Sequence, residues 1–322
     1  MKAVVHYSYG SPDVLKIEEI EKPSVTDDGV LVRIHASSVN PAEWYGMTGL
    51  FVARLMGGGL FKPKDPRIGG DFAGVVEAVG NQITHLKPGD EVYGGRNGAF
   101  AEFVSVKNAV VRKPANLSFE EAAAMPTAAV TALQGLRDYG KMQAGQKVLI
   151  NGAAGGVGTF AVQIAKALGA EVTGVTSTKN VEMVRSLGAD FVIDYTREDF
   201  TQCGKRFDLL LDVSGTRLWS EYKRVLTPKA QFVIVGAPKG NPVIGPLAHV
   251  IKLRLGALGA SQNISFFVAQ FKREDLDLLR DLAEAGKIKP VVEKVYPLAQ
   301  VGDAMRYLGT GHARGKLVLK MK

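Results

Sequence analysis

The sequence predicts an α/β protein in which a mostly β region is joined to a doubly wound parallel-sheet domain. Three observations carry this. The first 118 residues hold short β-like runs separated by clusters of Gly, Pro, Asn and Asp. From Ser118 onward strand-like and helix-like segments alternate, the pattern of βαβ units. Between one such strand and helix lies the glycine-rich turn Gly152-Ala153-Ala154-Gly155-Gly156-Val157-Gly158.

The β region, residues 1–118, contains runs such as 30–36, 74–79 and 91–94, broken by turns such as Lys87-Pro88-Gly89-Asp90. Ser118-Phe119-Glu120-Glu121 then reads as a helix N-cap with acids in the first turn. An alanine-rich helix interrupted at Pro126 follows, with a second helical stretch from Thr131 to Tyr139. Strands are expected at 147–151, 171–176, 191–194, 209–213 and 231–235, and helices at 157–168, 181–187 and 218–225. A further β-like run at 252–258 is read as the sixth strand, at the sheet edge. The tail gives an amphipathic helix over 273–285, a strand over 291–296, a short helix near 301–308 and a last strand over 315–320 that pairs with the N-terminal β region. The expected division is therefore 1–118 with 263–322 as the β domain and 119–262 as the parallel-sheet domain.

Composition sets the bounds. A chain of 322 residues has room for two domains. Hydrophobic content of 46% and charged content of 22% are those of an ordinary globular enzyme. No apolar run approaches the roughly 20 residues of a membrane-spanning helix. Met1-Lys2-Ala3-Val4-Val5 reads as a strand rather than a targeting segment, so a cytoplasmic protein is expected. Cys203, the single cysteine, rules out an internal disulfide and a cysteine-rich zinc site. The net charge of +8 is dispersed, with no aromatic-interleaved basic stripe, which argues against nucleic acid as a partner.

The glycine turn is the strongest signal. Strand, glycine turn and helix in that order place backbone N–H groups of a helix N-terminus against a pyrophosphate. Ala153 stands where the first glycine of the G-x-G-x-x-G fingerprint would be. The candidate phosphate-cradle residues are Gly152, Ala153, Ala154, Gly155, Gly156 and Val157. The nucleotide is read from the end of the next strand, Val175-Thr176-Ser177-Thr178-Lys179. An acid there would bind the ribose 2′-hydroxyl of NAD and repel a 2′-phosphate. None is present, while Thr176, Ser177 and Lys179 offer hydroxyls and a positive charge, which select NADPH. Val213 and Ser214, and Gly236, Ala237 and Pro238, follow later strands at the carboxyl ends where open α/β sheets bind ligands.

Several motifs together resemble the medium-chain dehydrogenase/reductase superfamily, in its zinc-independent quinone oxidoreductase (zeta-crystallin-like) branch. They are Met1-Lys2-Ala3-Val4-Val5, Val39-Asn40-Pro41-Ala42-Glu43-Trp44-Tyr45, Gly69-Gly70-Asp71-Phe72-Ala73-Gly74, Lys87-Pro88-Gly89-Asp90-Glu91-Val92, the glycine turn, and Gly311-His312-Ala313-Arg314-Gly315-Lys316. The resemblance spans essentially the whole chain. It implies a Rossmann domain beside a GroES-like catalytic domain. In the zinc alcohol dehydrogenases of the same superfamily a catalytic metal is held by Cys, His and a second Cys or acid. Here Asn40 lies in the region of the first cysteine, Gly70 stands in place of the histidine, and the four-cysteine structural lobe is missing. No metal is expected. Without a Lewis acid, an already electrophilic acceptor such as a quinone or an α,β-unsaturated carbonyl is the natural hydride acceptor from NADPH.

The resemblance also points to single residues. Asn40 and Tyr45 lie in a loop that is at the nicotinamide in similar enzymes. Asn40 would orient substrate or ribose, and Tyr45 would donate to the reduced carbonyl or merely line the pocket, with solvent as the other proton source. Trp44, Phe51 and Tyr93 are pocket walls or core. Thr131 is a nicotinamide contact or an ordinary helix hydroxyl, and Tyr195 lies near the ribose phosphate. Phe266, Phe267, Arg314 and Lys316 close over the cofactor, or are core (the two Phe) and surface charges (the two cations). The loop 46–67, with its glycine run, is read as a mobile cover over a small lipophilic carbonyl or quinone. An exposed sixth strand is expected to pair with its copy in a homodimer. A nucleotide-binding protein with little turnover is the alternative reading.

Overall fold

The computed structural model describes residues 1–51, 54–215, 217–236 and 246–321. The chain forms two compact units, Met1–Val130 with Gln270–Lys322, and Thr131–Ala269. Among the described residues no helix is long and apolar enough to cross a membrane.

The first unit begins with the antiparallel strands β1 (Lys2–Val5) and β2 (Lys16–Glu19). Strand β3 (Val30–Val39) runs into helix α1 (Pro41–Thr48); β4 (Asp71–Val79), β5 (Glu91–Gly95), β6 (Phe103–Val106), β7 (Val110–Arg112) and α2 (Phe119–Ala123) follow. Helix α3 (Pro126–Gln134) carries the chain across the boundary at Val130.

The second unit contains β8 (Lys147–Asn151), α4 (Gly156–Ala167), β9 (Glu171–Thr176), α5 (Val181–Ser186), β10 (Phe191–Asp194), β11 (Phe207–Asp212), α6 (Trp219–Tyr222), β12 (Leu226–Ile234), α7 (Pro246–Gly256) and β13 (Asn263–Phe266). The chain then returns to the first unit as α8 (Arg273–Glu284), β14 (Val292–Pro297), α9 (Val301–Gly309) and β15 (Lys316–Lys320).

In the first unit the strand order is β14-β15-β3-β4-β5-β7, with β6 also on β3. As expected, the final strand β15 joins the N-terminal β region, antiparallel to β3 with Leu317 opposite Val39. Tyr93 is fully buried on β5, and its hydroxyl donates to the Leu276 carbonyl at 2.6 Å, which makes it core rather than a pocket wall. Trp44 is core too: its ring packs so tightly on α9 that a Cβ at Gly309 would collide with it.

In the second unit all strand pairs are parallel, in the order β10-β9-β8-β11-β12-β13. Order reverses between β8 and β11, the switch point at which doubly wound sheets open a crevice. The sixth strand is β13, and the expected strand at 252–258 is corrected: that stretch lies largely in α7. Its Lys-Leu-Arg-Leu alternation imitates a strand. Val250 and Leu253, three residues apart, instead bury one helical face against Trp219 and Phe232.

The unit boundaries also fall later than expected. Helix α2 stays with the β unit, where Phe119 stacks on His35 of β3 at 4.4 Å, and β13 belongs to the parallel sheet. Ser118 caps α2 as its sequence implies, accepting from the Glu121 backbone while Glu121 accepts from the Ser118 backbone.

Gly158 makes the sharpest packing demand. A Cβ there would collide with the carbonyl oxygen of Gly152 and approach Ala153 backbone at 2.8 Å, so neither neighbour can rotate away. Gly158→Ala is expected to lower unfolding stability by at least ~1–3 kcal/mol, the usual range for overpacking, as read from urea denaturation.

Candidate functional site

The glycine turn after β8 contains one left-handed residue, Gly152 at φ +90°. The strained position thus precedes the fingerprint's first glycine, and this explains why Ala153 is tolerated. Ala153 has an ordinary φ and is fully buried. Its methyl occupies space opened by Gly174 on β9, where a Cβ would sit 3.0 Å from it. Gly155 caps α4, and among the described residues no side chain caps the first N–H groups of that helix. Those donors, with the positive end of the helix dipole, form an anion cradle that fits a pyrophosphate.

The strands end around this cradle. Gly152 lies against Ser214 so closely that a Cβ would strike Ser214 Oγ, and Gly236 approaches the Val213 carbonyl in the same way. Asn151, Asp212 and Tyr222 tie the switch point together. The Asn151 amide donates to Asp212 at 2.8 Å, the Tyr222 hydroxyl donates at 2.7 Å, and the Gly215 N–H donates at 2.9 Å. This buried carboxylate was not anticipated from sequence, although an Asp ending the run Leu209-Leu210-Leu211-Asp212 is a visible signal.

At the end of β9, Thr176 is buried, Ser177 Oγ accepts from Asn180 at 3.2 Å, and Lys179 is exposed. Tyr195 is half-exposed, its N–H donating to the Thr176 carbonyl at 3.0 Å. The structure therefore gathers Thr176, Ser177, Lys179 and Tyr195 at one end of the sheet. An acid does stand one strand over: Asp194 of β10 lies opposite Thr176. Hydrogen bonds from Thr178 and Thr196 hold its carboxyl below the usual carboxylate range and occupy both of its oxygens.

Not every expected cofactor residue joins this cluster. Phe267 is buried and stacked on Tyr139 at 4.2 Å, which makes it part of the core of the second unit. Thr131 is half-buried on α3. Arg314 belongs to the first unit, exposed, its backbone N–H held by Glu293 at 2.6 Å. Ala237 and Pro238 lie outside the described residues.

In the first unit, the expected residues Asn40 and Lys316 meet in a buried polar network centred on Asp71. Asp71 opens β4 and is fully buried. One carboxylate oxygen accepts from the Thr127 N–H at 2.9 Å and hydroxyl at 2.6 Å. The other accepts from Ser38 at 2.7 Å and the Asn40 amide at 2.9 Å, and lies 3.7 Å from the Lys316 ammonium. Lys316 Nζ also donates to the Val39 carbonyl at 3.2 Å and to Asn40 Oδ1. All three groups around Nζ are acceptors, the environment of an ammonium. Burial pulls the Lys316 pKa down, while Asp71 and Glu43 oppose that shift. Lys316, expected to close over the cofactor, is therefore an internal cation; only 4% of it is exposed. The sequence misled because Lys is rarely buried unless paired, and its partner Asp71 is far away along the chain.

Asn40 follows the last residue of β3 and precedes Pro41, the first residue of α1. Its backbone N–H donates to Glu43 at 2.6 Å. Burial, helped by Asp71 and opposed by Lys316, pushes the Glu43 carboxyl up to about 7. Tyr45, two residues along the same helix, is half-buried, and burial raises its pKa so that the phenol keeps its proton. On the 46–67 segment, Phe51, Leu55, Leu60 and Phe61 are exposed, Phe61 at 87%; Val52 and Ala53 lie outside the described residues.

Family comparisons agree with this architecture. Residues 26–115 match the alcohol dehydrogenase GroES-like domain and residues 187–319 match the zinc-binding dehydrogenase family. The chain is 37% identical to 2-methylene-furan-3-one reductase of Solanum lycopersicum, covering 99% of this chain and 79% of that protein. It is 34% identical to the chloroplastic NADPH-dependent alkenal/one oxidoreductase of Arabidopsis thaliana, with the same coverages. The crystal structure of Escherichia coli quinone oxidoreductase complexed with NADPH superposes with a TM-score of 0.84 at 26% identity, over 99% of this chain and all of that one. The chain belongs to the medium-chain dehydrogenase/reductase superfamily, in its quinone oxidoreductase branch.

The family name implies zinc, and the residues at the corresponding place do not suit it. A Cβ at Gly70 would lie 2.6 Å from Glu43 Oε1, so any side chain there would displace the Glu43 carboxyl. The Asn40 amide is committed to Asp71 and Lys316, and the cation beside Asp71 is already an ammonium. Among the described residues no group of three His, Cys, Asp or Glu side chains is arranged to hold a metal.

Glu43 has a consequence for stability. Its folded pKa of about 7 lies above its ordinary 4.5, so the native state holds the proton more tightly than the unfolded chain. That contribution is complete below pH 4.5, declines as pH rises toward 7 and is gone above it. Glu43→Gln keeps an acceptor for the Asn40 N–H and removes the titration. Its stability relative to wild type is expected to rise with pH, by on the order of 3 kcal/mol between about pH 4.5 and about pH 8 in urea melts. His6 and His35, whose pKa values burial lowers, act with opposite sign in both proteins and cancel in the difference.

Proposed function

We propose that this chain is an NADPH-dependent reductase that passes hydride to a quinone or an α,β-unsaturated carbonyl without a metal ion. The observation that carries the proposal is the pairing of an open anion cradle at α4 with an ammonium-centred network where a zinc site would be built. When bound, NADPH supplies the hydride. The uncapped N–H groups of α4 hold the pyrophosphate, and Ser177 and Lys179 receive the 2′-phosphate, with Tyr195 beside them. With no metal to polarise a simple alcohol, the acceptor must itself be electrophilic. Tyr45, protonated at neutral pH, donates a hydrogen bond to the oxygen that gains electron density. The exposed apolar side chains of the 46–67 segment suit a lipophilic acceptor. The names of the tomato and Arabidopsis relatives, a furanone reductase and an alkenal/one oxidoreductase, support a conjugated acceptor.

The edge strand β13, paired among the described residues with β12 alone, is proposed to continue the sheet into a second copy. Light scattering at micromolar concentration should give a dimer; a monomer would remove this part of the proposal.

An acceptor screen with NADPH and NADH in parallel tests the reaction. Enones or quinones should be reduced, with NADPH preferred at least ~10-fold in kcat/KM, as expected of charge-assisted contacts to a phosphate. Lys179→Ala should weaken NADPH about 10-fold and leave NADH unchanged. Tyr45→Phe should lower kcat at least ~10-fold with little change in the KM for NADPH. Retained NADPH that no acceptor oxidises would overturn the assignment.

A further inference from the structure

We infer that Lys316 is a positioning residue for reduction: its buried ammonium sets the orientation of the Asn40 side chain and the first turn of α1, and through them Tyr45. The inference rests on the reductase reading above, and extends it to a residue that touches neither acceptor nor cofactor.

The geometry is directional. The Asn40 amide has two chemically different ends. Its nitrogen faces the Asp71 carboxylate at 2.9 Å, and its oxygen faces Lys316 Nζ. An anion on one side and a cation on the other leave a single orientation. Reversal would place the amide nitrogen against an ammonium and the amide oxygen against a carboxylate, two repulsive contacts. Lys316 Nζ also holds the Val39 carbonyl at 3.2 Å, on the residue before Asn40. Asn40 in turn anchors the first turn of α1 through its N–H bond to Glu43 at 2.6 Å. Lys316 therefore grips the end of β3 and the start of α1 from the neighbouring strand β15, where Leu317 lies opposite Val39. Tyr45 is two residues beyond Glu43 on that helix. Its placement comes from the helix that bears it. Here a side-chain cation, a carboxylate and an amide organise the junction.

A single Lys316→Met variant leaves Asp71 buried without its cation and risks misfolding. The informative protein is therefore Lys316→Met/Asp71→Asn, which neutralises both charges. In it the orienting charges on both sides of Asn40 are gone and the Thr127 donors keep an amide oxygen to bond. Thermal melting is expected to return close to wild type and NADPH affinity to stay within about 2-fold. The kcat for enone or quinone reduction is expected to fall about 10- to 100-fold, the scale seen when partners that orient a site are removed. A kcat equal to wild type in a stably folded double variant would overturn the inference.

A second readout does not depend on turnover. In protein labelled with 3-fluorotyrosine, the Tyr45 fluorine resonance is assigned by its loss in Tyr45→Phe. That line should shift or broaden in the double variant, because the ring samples more than one placement. An unchanged line would contradict the inference even where no acceptor has been found. A shifted line in a protein that reduces nothing would instead refute the reductase reading and leave the positioning role standing.

Discussion

A buried carboxylate needs compensation, and the first unit is organised around supplying it to Asp71. Removing one partner from such a pair typically costs about 3–5 kcal/mol, because the remaining charge has no water to turn to. Asp71 receives two donors from the N-terminal turn of α3, one each from Ser38 and Asn40, and the Lys316 ammonium. These groups come from β3, β4, β15 and a helix, brought to one point only by the fold. Beside this network, burial helped by Asp71 raises the Glu43 carboxyl to about 7, and Glu43 accepts from the Asn40 N–H at the start of the helix that bears Tyr45.

The second unit solves a different problem with backbone rather than side chains. Among the described residues its anion cradle has no side-chain cap over the α4 N–H groups, so the donors stay available to phosphate. Close approach is made possible by absent Cβ atoms at Gly152 and Gly158, and the switch point is braced from beneath by Asn151, Asp212 and Tyr222. The end of β9 carries no acid, and Lys179, exposed beside it, is proposed to receive the 2′-phosphate. The nearest carboxylate, Asp194, is turned into its own hydroxyl partners Thr178 and Thr196.

Local patterns were legible in the sequence wherever a residue's role depends on its chain neighbours. The glycine turn, the parallel strands β8 to β12, the Ser118 cap and the closing strand β15 all follow from short-range spacing. The run at 252–258 was misread because its opening Lys-Leu-Arg-Leu alternation suits a strand, while burial of Val250 and Leu253 decides for a helix. Lys316 was read as a cofactor cation and Asn40 as a substrate or ribose contact; the structure joins both to Asp71. Lys316 reads as a cofactor cation only if its charge reaches the surface, and the pairing with Asp71, 3.7 Å away in space, cannot be seen along the chain. Asp71 itself stood inside a quoted motif without a role, since nothing local says that a carboxylate at the start of a strand will be buried. Phe267 and Tyr93 were ambiguous between pocket and core for the same reason, and packing places both in the core.

We propose that Lys316, Asp71 and Asn40 organise the junction of β3 and α1 without a metal ion. Elemental analysis of protein produced in zinc-supplemented medium, dialysed without chelator, tests it most directly. The account predicts zinc far below one atom per chain, and an NADPH-dependent reductase activity unaltered by subsequent chelator treatment. One zinc atom per chain that is lost together with activity on chelation would contradict it.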